Sequence, residues 1–89
     1  AIWLEYASLA LSLNETKDAI SLLKQGLKHN NNHVNILSNL GAYSFLAGEL
    51  DDAKKYLQKA ISLNTTALDL VYKTIPQLEN NNDFKQLLK

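Results

Sequence analysis

Two kinds of apolar pattern alternate along the chain. Ala19, Leu23, Gly26 and Leu27, and again Ala53, Leu57, Ala60 and Ile61, recur three and four residues apart and predict helices with one buried face. The segments before each of these are apolar around most of a helix. On a helical wheel Ala1 to Leu13 shows polar residues only along Glu5, Ser8 and Ser12, and Val34 to Ala47 is built around Leu37, Leu40, Gly41 and Tyr43. A helix apolar over so much of its girth is normally covered on more than one side. The pattern therefore predicts that another repeat, a different domain or a second copy of the chain packs against the first helix.

Local signals set the helix limits. Asn14, which tolerates the left-handed conformation, closes a first helix from about Ala1 to Leu13, and Thr16 is placed to cap a second, Lys17 to His29. Asn30, Asn31 and Asn32 form a turn, with Asn32 the expected cap of a third helix, Val34 to Ala47. Gly48 ends that helix. Leu50 to Leu63 make a fourth, with Asp51 and Asp52 at its positive end. Thr65 or Thr66 caps a fifth, which breaks near Pro76 because proline lacks the backbone donor and clashes with the preceding turn. A last short helix covers Phe84 to Leu88, with Phe84, Leu87 and Leu88 on one face and Lys85, Gln86 and Lys89 left to water.

Shifting the chain by 34 places aligns Ile2 with Ile36, Glu15 with Glu49, Asp18 with Asp52, Leu23 with Leu57 and Asn30 with Asn64. Internal repetition at such a period marks a stacked helical array. Ala7 with Gly41, Ala19 with Ala53 and Gly26 with Ala60 are small in both copies. Two antiparallel helices approach closely only where side chains are missing, and a large residue of the neighbour then fills the groove.

These positions resemble tetratricopeptide repeats. Trp3, Tyr6 and Ala7 match the family's opening W-x2-L-G with Tyr for Leu and Ala for Gly, and Leu37, Leu40 and Gly41 match it in the second copy, while Ala19, Leu23 and Gly26, then Ala53, Leu57 and Ala60, match its A-x3-F-x2-A with Leu for Phe. The family's closing proline is replaced by Asn31 and Thr65. The resemblance implies an all-α fold of antiparallel helix pairs stacked as a short right-handed solenoid. Residues 1–33 and 34–67 would be two repeats and 68–89 a degenerate third that closes the array. It also implies a concave groove lined by the first helix of each pair and offered to a peptide or partner domain. Carried over, the groove residues are Leu4, Glu5, Ser8, Leu11 and Ser12, then Asn35, Ser38, Asn39, Ala42, Phe45 and Leu46, then Asp69, Tyr72 and Lys73. Such a surface suits a neutral extended or helical segment, unless Phe45 and Leu11 serve only to pack between units. Some members grip a terminal carboxylate here; Asn39 and Lys73 could contribute, but Leu4, Ser8 and Asp69 stand where other partners are needed.

Composition narrows the function further. Net charge is zero and every basic residue other than the two histidines is a lysine, so no guanidinium fork and no basic excess favour nucleic acid. There is no cysteine, hence no disulfide or thiolate site, and no apolar run long enough to cross a membrane. A cytoplasmic location is the expectation. The lack of any Met suggests a fragment of a longer protein. No nucleophile motif or glycine-rich loop points to catalysis or a cofactor, and His29 and His33, separated by a turn, read as a solvated pair with no metal. Asn14-Glu15-Thr16 and Asn64-Thr65-Thr66 have the form of N-glycosylation acceptors but lie at helix boundaries where Asn and Thr are wanted anyway. The expected function is therefore a non-catalytic protein-interaction module. A second resemblance, of Pro76 and Leu78-Glu79 to the helical tails of some bacterial glycosyltransferases, implies instead the docking or dimerising arm of an enzyme. Self-association through the first helix is a third reading.

Overall fold

The computed structural model describes residues 2–88. In chain order it contains α1 (Ile2–Ser12), α2 (Thr16–His29), α3 (Val34–Leu46), α4 (Leu50–Leu63), α5 (Ala67–Thr74), a 3₁₀ turn (Pro76–Asn80) and α6 (Asn82–Leu87), with no strand among the described residues. The fold is all-α, as the repeat pattern predicts. α1 packs on α2 and α3 on α4, each pair joined by a short turn, and α3 also meets α2, α5 and α1.

That central position explains the composition of α3. Every residue from Ile36 to Ser44 is buried, Ser38, Asn39 and Ser44 among them, because the helix has neighbours on most of its sides. α2 and α4 each bury one stripe, Ala19, Ile20, Leu23 and Gly26 in α2 and Ala53, Leu57 and Ala60 in α4. One continuous core joins α1 to α6 through Ala7, Leu23, Leu40, Tyr43, Leu57, Val71, Leu78 and Phe84.

The two turns that close α1 and α3 are copies of each other. Asn14 has φ of 63° and Gly48 has φ of 81°. In each case the next amide reaches back to satisfy a terminal carbonyl, Glu15 N to Ala10 O at 2.9 Å and Glu49 N to Ser44 O at 2.9 Å. The turns after α2 and α4 match as well. Asn30 Oδ1 accepts from Asn32 N at 3.2 Å, and Asn64 Oδ1 accepts from Thr66 N at 2.9 Å.

Three caps differ from expectation. Thr16 is the first residue of α2, whose cap position is Glu15 with no side-chain bond. α3 is capped by His33, whose Nδ1 accepts from Ile36 N at 3.3 Å, because Asn32 lies one residue too early to reach that amide. Thr66 stands at the start of α5, but its hydroxyl donates back to Asn64 Oδ1 at 2.7 Å and leaves the helix uncapped. The last helix begins two residues earlier than its apolar face, since Asn81 Oδ1 accepts from Phe84 N at 3.0 Å. After Pro76 the chain turns back on itself, so the described residues span 29 × 27 × 22 Å and do not string out as a row of helices.

Candidate functional site

The first helices of the successive pairs, α1, α3 and α5, converge on an open cleft of about 290 Å³. Leu4 and Ser8 line it from α1, Asn35, Asn39 and Tyr43 from α3, and Leu70, Lys73 and Thr74 from α5. Spacing explains the set: 35, 39 and 43 are successive turns of one helical stripe, and 70, 73 and 74 are another. Asn39 is the polar group most enclosed there, only 7% exposed. Its Nδ2 donates to Asn35 O at 2.8 Å, which fixes the amide, while Oδ1 has no partner among the described residues. Ser8 and Lys73 are exposed beside it. The cleft is thus floored by the fixed Asn39 amide, whose oxygen is shut off from solvent, with a hydroxyl and an ammonium exposed above it.

Of the groove residues carried over from the resemblance, Ser8, Asn35, Asn39 and Lys73 come together here, with Leu4. Ser38 and Ala42 do not: both are fully buried, one residue round from the stripe that lines the cleft, and a partner cannot reach them. Phe45 is partly buried against Phe84 of α6, ring centroids 5.1 Å apart, and Tyr72 meets the same ring at 6.3 Å. Leu46 is 45% exposed, but it borders the α1–α2 turn alongside Asn14 to Asp18, away from Asn39. Glu5 and Ser12 are exposed on α1, with the Ser12 hydroxyl donating to Leu9 O at 2.6 Å. Tyr43, Leu70 and Thr74 also line the cleft; Tyr43 stands four residues after Asn39 and Leu70 three before Lys73, and that helical spacing was the available signal.

The histidines have structural work: His33 caps α3, and the His29 ring stacks on Trp3 at 5.8 Å and 15°. Among the described residues no cluster of three or more His, Asp or Glu could hold a metal ion, and no helix is long and apolar enough to cross a membrane. Burial raises the pKa of the Tyr43 phenol above its ordinary value, and burial, then Glu79 and Asp69, raise that of Tyr72.

No curated protein matches the chain closely enough to count as a relative. A family model described as tetratricopeptide repeat matches residues 10–71, from the end of α1 into α5. The match takes in the turns at Asn14 and Gly48 and most of the chain, and the helix pairs, small-residue contacts and period agree with it: the chain belongs to the tetratricopeptide repeat family.

Proposed function

We propose that the cleft between α1, α3 and α5 is a docking groove for a segment of a partner protein, with residues 1–33 and 34–67 as the repeats that build it and 68–89 as the unit that closes it. Protein–protein interaction is the general role of this family. The observation that supports the finer reading is the open cleft where α1, α3 and α5 meet, with the Ser8 hydroxyl and the Lys73 ammonium exposed over the fixed Asn39 amide. A neutral extended or helical segment with free carbonyls to offer is the complementary partner. Ser8 and Lys73 then donate to its carbonyls. The groove is preformed, so the receptor loses little freedom on binding.

The test is selection of peptide ligands from a displayed library on the intact chain. Asn39→Ala combined with Lys73→Glu should abolish binding of the selected peptides, and Lys24→Ala, on the exposed face of α2, should leave it unchanged. Peptides that bind all variants equally would place the site elsewhere.

A second reading concerns α1. Ile2, Tyr6, Leu9 and Leu13 form a stripe in which every side chain is at least half exposed. Their counterparts 34 residues on, Ile36, Leu40 and Tyr43, are buried, on the helix that α2 packs against. That contrast favours self-association, with the α1 stripe covered by a helix of a second copy.

A further inference from the structure

On the reading that the groove takes a partner segment, we propose that α6 is the groove's own displaceable occupant, and that the partner is an amphipathic helix carrying an aromatic residue followed three and four positions later by leucines. The two ends of the groove differ. Around Asn39 it is open. At the other end Phe84 is completely buried, set edge-on to Phe45 of α3 at 77° and to Tyr72 of α5 at 71°. Phe45 and Tyr72 do not line the open cleft but are positions that the resemblance assigns to the groove, and on that assignment α6 stands where a ligand would.

What fills the slot defines what the slot accepts. Two aromatic walls from different helices favour a third ring in edge-to-face contact. Leu87 and Leu88 follow Phe84 on the same face and are half-buried against the core, while Asp83, Lys85 and Gln86 remain exposed. The recognised pattern is therefore one aromatic anchor and two leucines on a helix with a polar back.

α6 holds this place weakly. Its six residues fall below the length at which a helix persists unaided, and it hangs from the 3₁₀ turn Pro76–Asn80. Beside it lies a cleft of about 440 Å³ between Phe45, Leu50, Asp83, Gln86 and Leu87, and Leu50 stays 50% exposed. A longer helix in the same slot covers Leu50 as well. That added apolar contact is what allows an external helix to compete with a tethered one, whose effective concentration is on the order of millimolar.

The experiment uses the full chain and a fluorescent synthetic peptide of residues 81–88. The Phe84→Ala chain, whose own anchor is gone, should bind this peptide at least about tenfold more tightly than the unaltered chain does. A peptide with alanine in place of the phenylalanine should bind neither. Equal affinity for both chains, or no binding to a Phe84→Ala chain that keeps its helical circular dichroism, overturns the proposal. Should that variant unfold, native-state hydrogen exchange on the unaltered chain decides. Amides of α6 should exchange through an opening that leaves α2, α3 and α4 protected, and exchange only with global unfolding overturns the idea. The open cleft is not needed for either result, so a partner lost on substitution of Asn39 but unmoved by Phe84→Ala leaves the groove reading standing and this one refuted.

Discussion

Gly41 of α3 lies directly under Leu57 of α4: a methyl group on Gly41 would come within 2.5 Å of Leu57 Cγ and 3.2 Å of its backbone nitrogen. The other pair has a close approach at a different repeat position, Gly26 of α2 against Trp3 of α1, where the nearest atom, at 2.8 Å, is Trp3 Cγ. Leu57 is fully buried and its backbone is part of the contact, whereas the contact with Trp3 Cβ, 2.9 Å from the added methyl, is relieved by a shift of α1, an end helix that packs chiefly on α2. Gly41→Ala should therefore cost about 1–3 kcal/mol of stability by overpacking. Gly26→Ala should cost less. Thermal melts of the two variants check the order, and the reverse order would mean that the α1–α2 pair is the tighter one.

Asn14 and Gly48 occupy the same place in the two copies with positive φ, and a Cβ on Gly48 would meet nothing within 4 Å. The cost of an ordinary side chain there is thus a backbone cost alone. Gly48→Ala should lose about 1 kcal/mol, and Asn14→Gly should be neutral or gain up to about 1 kcal/mol. Gly48→Asn falls between. Urea midpoints on the four proteins measure this directly, and a stabilising Gly48→Ala would contradict the turn geometry.

The helix pairs were legible because their signals repeat. A spacing of 34 residues places Ala19 with Ala53 and Leu23 with Leu57, and local noise does not survive that comparison. Caps were less legible. Asn32, His33, Thr65 and Thr66 cluster at helix starts, and which one caps depends on a single residue of register. The groove was harder still, since one residue is about 100° of helix rotation. Ser38 and Ala42 fell on the buried side of α3 for that reason, while Asn35 and Asn39 fell on the open side. That Phe84 comes to rest between Phe45 and Tyr72 depends on how the chain turns after Pro76, which no periodicity encodes.

Asn39 separates binding from stability. Its side chain makes one bond to its own helix and leaves a buried oxygen unmatched, so the lost bond in Asn39→Ala is offset by removal of the unmatched group. Folding stability should change by no more than about 1 kcal/mol, while binding of selected peptides is lost. A large stability loss with binding intact would make Asn39 a structural residue.

The buried Tyr43 phenol and the partly exposed Tyr72 phenol set a pH limit. Tyr43 and Tyr72 ionise later in the folded chain than the ordinary value of 10.0, at which they ionise when unfolded. Above that value the unfolded state releases protons that the folded state keeps, so stability falls as pH rises, and below it neither group contributes. Between about pH 9 and about pH 11 a Tyr43→Phe variant should lose less stability than the unaltered chain, by urea denaturation at each pH. Parallel losses would show that the phenol is not the cause.

The stripe on α1 makes the last prediction. Ile2 and Tyr6 stand 34 residues before Ile36 and Leu40, yet are 54% and 51% exposed where those are 2% and 0%. The same sequence pattern is thus covered in one copy and bare in the other. Leu9 and Leu13, each 60% exposed, continue the stripe, and burying four such side chains favours association. Sedimentation of the chain across a concentration series should show a reversible dimer. Tyr6→Lys with Leu9→Lys should give a monomer at every concentration, with a melting temperature no lower than that of the parent at high dilution, because neither side chain belongs to the core. A parent that is monomeric throughout would refute self-association through α1.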